Sequence, residues 1–161
     1  MEKFFTLELL VRLIASFVGS AAFAVVFKVN KRHVIFGAIN GLLTYFVYYM
    51  VFYFLESAFV AALISTAFAA VFAELMARSR RAPANVFLIP GVIPTVPGSN
   101  LYFFMRNMLE ANITEAVTQL GIALGVALGI ACGTVSVSIT WGIVNDKISK
   151  RKVRGAAEHP Q

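Results

Sequence analysis

Apolar runs of membrane-crossing length, separated by short charged intervals, dominate the chain. Residues 33–55, 57–73, 82–105 and 116–145 contain no Asp, Glu, Lys or Arg. Each run is near or above the roughly 17–25 residues that a spanning helix needs. The N-terminal segment is less uniform. Leu13 to Phe27 is too short to span alone, so a first span takes in Arg12 and Glu8. These two stand four residues apart with the acid first, the favourable order on a helix, and Arg12 is close enough to a helix end to snorkel. The pattern predicts an all-α integral membrane protein with about five transmembrane helices, near 6–27, 33–55, 57–77, 86–110 and 116–145. They form one membrane domain over residues 1–145, followed by a basic cytoplasmic tail over 146–161. Ala22-Phe23-Ala24 has the form of a leader cleavage site. However, Glu8 and Arg12 interrupt what would be the uncharged core of a leader, and the preceding region is barely basic, which favours a retained span.

Composition points the same way. Hydrophobic residues make up 59% of the 161, and charged residues 14%; mean hydropathy is +0.79. An ordinary soluble domain carries about 25% charged residues and has too little interior to hide this much apolar surface. A soluble enzyme and a disordered tail are both excluded. The single cysteine, Cys132, rules out an intrachain disulfide framework.

The net charge of +6 has a specific distribution. Lys28, Lys31 and Arg32 lie between spans one and two, and Arg78, Arg80 and Arg81 between spans three and four. Lys147, Lys150, Arg151, Lys152 and Arg154 follow span five. With five spans these three places share one side, which then holds eleven of the fourteen basic residues. The positive-inside rule sets the N-terminus outside and the C-terminus in the cytoplasm. Orientation therefore explains the charge, and no nucleic-acid partner is expected. The tail's basic residues suit acidic membrane lipids. Tyr45, Phe46, Tyr48, Tyr49, Phe52, Tyr53 and Phe54 crowd the outer half of span two, and Trp141 lies near the inner end of span five, as aromatic belts do.

The fourth span breaks its own helix. Pro90, Pro94 and Pro97 fall within eight residues, and Gly91 and Gly98 follow two of them. Proline removes a backbone donor and clashes with the preceding turn, and Pro-Gly steps favour turns. No continuous helix is expected between Pro90 and Asn100. Open backbone facing lipid leaves polar groups unsatisfied at several kcal/mol each, so the segment must be shielded by protein or line a wet cavity. Discontinuous spans also build transporter binding sites. Ser99 or Asn100 is a candidate N-cap for a second half-helix from Leu101 to Leu109. The N–H groups at its start would attract a carboxylate, with Thr95, Ser99 and Asn100 adding side-chain hydrogen bonds.

Span five carries Gly121, Gly125, Gly129 and Gly133 at every fourth position. Such spacing lets another helix approach closely, so these glycines predict a packing face. Glu74 precedes Arg78, and Arg106 precedes Glu110, by four residues. Both are expected to be interfacial pairs, and Glu74 and Glu110 are the acids to test first for proton coupling. Asn40 inside span two is expected to make a helix–helix hydrogen bond.

The segment Phe87-Leu88-Ile89-Pro90-Gly91-Val92-Ile93-Pro94-Thr95-Val96-Pro97-Gly98-Ser99, followed by Leu101-Tyr102, resembles the signature of the threonine/serine exporter family. The likeness is to the smaller-subunit type, equivalent to the C-terminal membrane half of one-chain exporters. Only 87–102 is specific; small size, five spans and a basic loop before the broken span extend it over 8–145. The resemblance implies secondary export of small polar metabolites, anionic or zwitterionic. Threonine and serine serve some relatives, and dicarboxylates such as succinate serve a two-subunit member. It implies a larger membrane subunit of the same family as partner. It also makes Pro90, Gly91, Pro94, Pro97, Gly98 and Ser99 the pathway region. The sequence holds one copy of the broken segment, which fits half a transporter, and a homo-oligomer is the other way to complete a path.

Two other classes compete. An enzyme would need a nucleophile with its base, or a metal cluster. His33 is in an inner loop, His159 in the tail, and Asp146 is the lone aspartate, so no enzyme, metal or cofactor is expected. A non-transporting assembly or scaffold protein would dock a partner through the glycine face of span five.

Overall fold

The computed structural model describes residues 2–157, with side chains described for residues 7–143. His159, the end of the tail, and the side chains of Asp146, Lys147, Lys150, Arg151, Lys152 and Arg154 lie outside the described residues. The elements are α1 (Glu2–Val26), α2 (Lys31–Leu55), α3 (Ala58–Arg80), α4 (Asn85–Val92), a short 3-10 turn (Ile93–Thr95), α5 (Gly98–Leu109) and α6 (Ile113–Ala157). Among the described residues there is no strand.

Local chemistry sets the helix ends. Asn30 Oδ1 accepts from Arg32 N at 3.2 Å to open α2, and Ser57 Oγ accepts from Val60 N at 3.5 Å to open α3. Four connections each pass through one left-handed, non-glycine residue: Lys28, Glu56, Arg81 and Ala111. After Lys28, Arg81 and Ala111 the chain reaches back with a bond from Val29 N to Ala24 O (3.0 Å), Ala82 N to Ala77 O (3.1 Å) and Asn112 N to Asn107 O (2.9 Å). This is the Schellman pattern, which satisfies carbonyls a helix end leaves open.

The helices pack by smallness and enclose polar groups. α3 buries Ala61, Ala62, Ser65, Thr66, Ala69, Ala70 and Ala73, and α2 buries Gly37, Ala38, Asn40, Gly41 and Thr44. Large apolar side chains point outward instead, Leu7, Leu124 and Leu128 being more than half exposed. Lipid is as apolar as leucine, so helices in a membrane gain by close backbone approach and interhelical hydrogen bonds rather than by hiding large side chains. The buried hydroxyls mostly bond back to their own helices: Ser16 to Leu13 O (2.8 Å), Thr44 to Asn40 O (2.7 Å), Thr66 to Ala62 O (2.7 Å).

α2 lies at the centre, against α1, α3 and α4; α3 packs in turn on α6, and α5 packs along α6. Four helices are long and apolar enough to cross a membrane, and a fifth crossing results when α4 with its 3-10 turn and α5, bent by 44°, count as one span. The chain is an all-α integral membrane protein with four or five candidate crossings. α6 continues unbroken to Ala157, about 68 Å at 1.5 Å per residue, so most of the basic tail extends the last helix.

The expected span-five packing face is divided. A side chain at Gly129 would meet Phe59 O at 2.6 Å and Ala62 Cβ at 3.0 Å, and one at Gly133 would strike Thr66 Oγ1 and Leu63 O. These two glycines seat α6 against α3. Nothing lies within 4 Å of a side chain added at Gly121 or Gly125. Hence the closely approached stretch is an internal contact, and only the first two glycines leave open surface.

Candidate functional site

The site begins with how a proline is tolerated inside α4. Pro90 lies within the helix, which corrects the expectation of irregular chain from Pro90 onward. In membranes such breaks survive where neighbouring groups re-satisfy the backbone. Asn40 Nδ2 donates to Phe87 O at 3.1 Å and to Ala69 O at 3.2 Å, joining α2, α3 and α4 at one buried side chain. The proline ring sits against Gly37, whose added Cβ would be 3.2 Å from Pro90 Cβ. A side chain at Gly41 would collide with Ser20 Oγ, and one at Gly91 with the Asn40 amide. Gly37, Gly41 and Gly91 are therefore space requirements. Pro94 has no N–H to give to Pro90 O, and this carbonyl lies 3.3 Å from the Gly41 Cβ position. The nearby Ser20 hydroxyl is fully buried and has no partner among the described residues.

Regularity ends later and more narrowly than the prolines suggest. The 3-10 turn carries the chain through Pro94 to Thr95, which is buried and donates to Val92 O at 2.7 Å. Val96 is extended, with φ −62° and ψ 128°. Pro97, at φ −79° and ψ 51°, centres a tight turn closed by Gly98 N to Val96 O at 2.8 Å, an inverse γ-turn.

α5 starts at Gly98 with Pro97 as its N-cap and no side-chain cap. Ser99 and Asn100 thus occupy the first turn and do not cap it, contrary to the sequence expectation. Proline pre-sets the backbone at a helix start without a hydrogen-bonding side chain. Leu101 N reaches Pro97 O at 3.2 Å, while the N–H groups of Ser99 and Asn100 meet no acceptor among the described residues. Asn100 turns its amide to Gln119 Oε1 on α6, 2.9 Å away, a partner the sequence reading missed. Gly98 and Ser99 are exposed, Val96 is 51% exposed, and α5 buries no residue. At the open end of this half-helix Gly98 and Ser99 are uncovered, while Asn100 is held to α6.

The two acids part company. Arg106 Nε pairs with Glu110 Oε1 at 2.9 Å, both exposed. Glu74 forms no ion pair among the described residues; Arg78 instead lies over the Trp141 ring, 4.7 Å from its centroid, where cation–π attraction rewards an arginine. Arg80 likewise covers Phe36 at 4.1 Å. The expected Glu74–Arg78 pair is not made among the described residues, and the Arg78 guanidinium lies against an aromatic face from α6 instead.

A broken span beside a polar, glycine-lined core is a device that solute transporters use. Residues 12–140 match the family model described as Threonine/Serine exporter, ThrE. The chain belongs to the threonine/serine exporter family, and thus with transporters rather than enzymes. No curated protein and no solved structure matched it.

Proposed function

We propose that this chain is one membrane subunit of a secondary exporter that moves small polar metabolites, threonine/serine-like amino acids or dicarboxylates, out across the plasma membrane. The observation that carries this reading is the exposed start of α5. Two open N–H groups, at Ser99 and Asn100, stand at a helix start whose Gly98 and Ser99 are exposed. Lipid cannot satisfy them. A solute carboxylate can, and the remaining cover comes from a larger subunit of the same family or a second copy of this chain. On this reading α4, its turn and α5 are one crossing of five, and Pro90, Gly91, Pro94, Thr95, Pro97, Gly98, Ser99 and Asn100 line the path. Lys28 and Arg81 then share one membrane side with the end of α6, which supports a cytoplasmic C-terminus and an external N-terminus.

The test is export from cells or reconstituted vesicles. A side chain at Gly98 would meet nothing within 4 Å, so Gly98→Val leaves this chain's own packing intact. Gly98→Val and Ser99→Leu are both expected to abolish export with normal membrane insertion. Unchanged export in either variant refutes the site.

A further inference from the structure

We infer that the first half of the broken span holds a sodium ion, bound where α1, α2 and α4 meet around Gly41. Two oxygens converge there. A side chain added at Gly41 would strike Ser20 Oγ of α1 and would lie 3.3 Å from Pro90 O of α4. Neither oxygen has its ordinary partner. Ser20 is 0% exposed, and its hydroxyl is unbonded among the described residues. Pro90 O has lost its helical donor, because residue 94 is a proline. A buried polar group left unbonded costs about 1–3 kcal/mol, and hydrocarbon offers nothing to satisfy it. Two more hydroxyls belong to the elements that meet at this junction. Thr44 is one turn along α2 from Gly41, and Thr95 lies in the 3-10 turn, which packs on both α1 and α2. Both are buried. Each gives its proton to a carbonyl of its own segment, Thr44 to Asn40 O at 2.7 Å and Thr95 to Val92 O at 2.7 Å, and so keeps only lone pairs to offer.

The chemistry of these groups selects a small monovalent cation. All are neutral oxygens, and no charged side chain is buried among the described residues. Divalent cations take carboxylates, whereas hydroxyls and carbonyl dipoles match a single positive charge. An ordered water is the competing occupant. The position of Pro90 decides for the ion: it lies in the last turn of α4, where a helix concentrates partial negative charge, and the carbonyl ends of broken helices coordinate sodium in transporters. Space favours sodium over potassium, since Gly41 and Gly91 leave no room even for a methyl group. An ion held here ties α1 and α2 to the first half of the broken span and answers Pro90 O from inside the bundle. This deepens the exporter reading by naming a coupling ion; the coupling rests on that reading, whereas the binding does not. The site is on different helices from the start of α5.

The experiment uses the full chain, purified with any subunit that accompanies it, held in lipid nanodiscs, with radioactive sodium as probe. Saturable binding is expected, with potassium competing at least tenfold more weakly than unlabelled sodium. Ser20→Ala is expected to weaken sodium binding at least tenfold. Because the hydroxyl it removes is unbonded among the described residues, its unfolding midpoint in choline chloride should match the parent's, while the rise on adding sodium chloride is lost. Ser65→Ala removes another buried hydroxyl, bonded to Ala62 O at 3.1 Å within α3, and is expected to bind sodium like the parent. Absence of saturable binding, potassium competing as well as sodium, equal unfolding of the parent in sodium and choline (the result for an ordered water), or parent-like binding by Ser20→Ala would each overturn the site. Export is expected to fall several-fold when choline replaces sodium; export indifferent to sodium would overturn the coupling. Ser99→Leu is expected to bind sodium normally while losing export. Export that survives Ser99→Leu alongside normal sodium binding would refute the broken-span reading and leave this site standing.

Discussion

α4 is sunk in the bundle, with Phe87, Pro90 and Gly91 buried and Asn40 bonded to its backbone. α5, which begins six residues after α4 ends, buries nothing and packs along α6. One apolar segment thus contains a half completed by its own chain and a half left unfinished. The difference teaches where to look for function. In α4 each departure from helical rule has a local remedy: glycines make room for the ring, and an amide takes up a carbonyl. In α5 the open N–H groups have none. On the proposed reading, the groups left unanswered at the start of α5 are where a solute or a partner subunit fits.

The strongest way to break that comparison is to overfill the α4 side. Gly41→Val would drive side-chain atoms into Ser20 Oγ and toward Pro90 O. Overpacking of this kind costs about 3 kcal/mol, and the variant is expected to unfold at markedly lower denaturant in mixed micelles. Gly98→Val, a like substitution in the α5 half, is expected to leave unfolding unchanged and remove only export. Equal stability of the two variants would erase the distinction between the halves.

Much of this arrangement was legible in the sequence because its signals are local. Uncharged runs announce spans, and prolines at 90, 94 and 97 announce a break within one of them. Asn40 was correctly expected to bond between helices. The position of the break was not legible. Pro90 stays helical because Gly37, more than fifty residues earlier, admits its ring and Asn40 takes the Phe87 carbonyl, and such tertiary answers leave no mark near the proline. The same holds for Arg78. Its spacing from Glu74 spoke for an ion pair, but its guanidinium lies over Trp141 on α6, a contact 63 residues away in sequence. The start of α5 was misread for a different reason. Ser and Asn are favoured caps, yet the γ-turn at Pro97 starts the helix before either is reached.

The glycines of α6 give a comparison of intermediate size. Gly129 and Gly125 are one turn apart, and only the former meets α3. Gly129→Ala would set a Cβ 2.6 Å from Phe59 O, a backbone atom that cannot swing aside; a loss of about 1–3 kcal/mol is expected in the same unfolding assay. Gly125→Ala enters open space and gains helix propensity, at most about 1 kcal/mol. Opposite signs are therefore expected from chemically identical changes. A destabilised Gly125→Ala in the isolated chain would mean that α6 is held more tightly along its first half than its exposed glycines allow.

The smallest effect tests how α5 is attached. Asn100 Nδ2 to Gln119 Oε1, at 2.9 Å, is a side-chain hydrogen bond between α5 and α6, and interhelical bonds in membranes average about 0.6 kcal/mol. A double-mutant cycle with Asn100→Ala and Gln119→Ala isolates it, since each single change removes the same bond. A coupling of about 0.6 kcal/mol is expected in the chain alone. Because Asn100 is also in the open first turn of α5, the same pair has a second use. If a partner subunit covers that turn, the cycle repeated in the assembled exporter should change, as a new neighbour competes for the amide. A coupling identical in both settings would mean that the start of α5 stays uncovered, and the argument for a subunit at this face would then fail while the fold described for α4 is untouched.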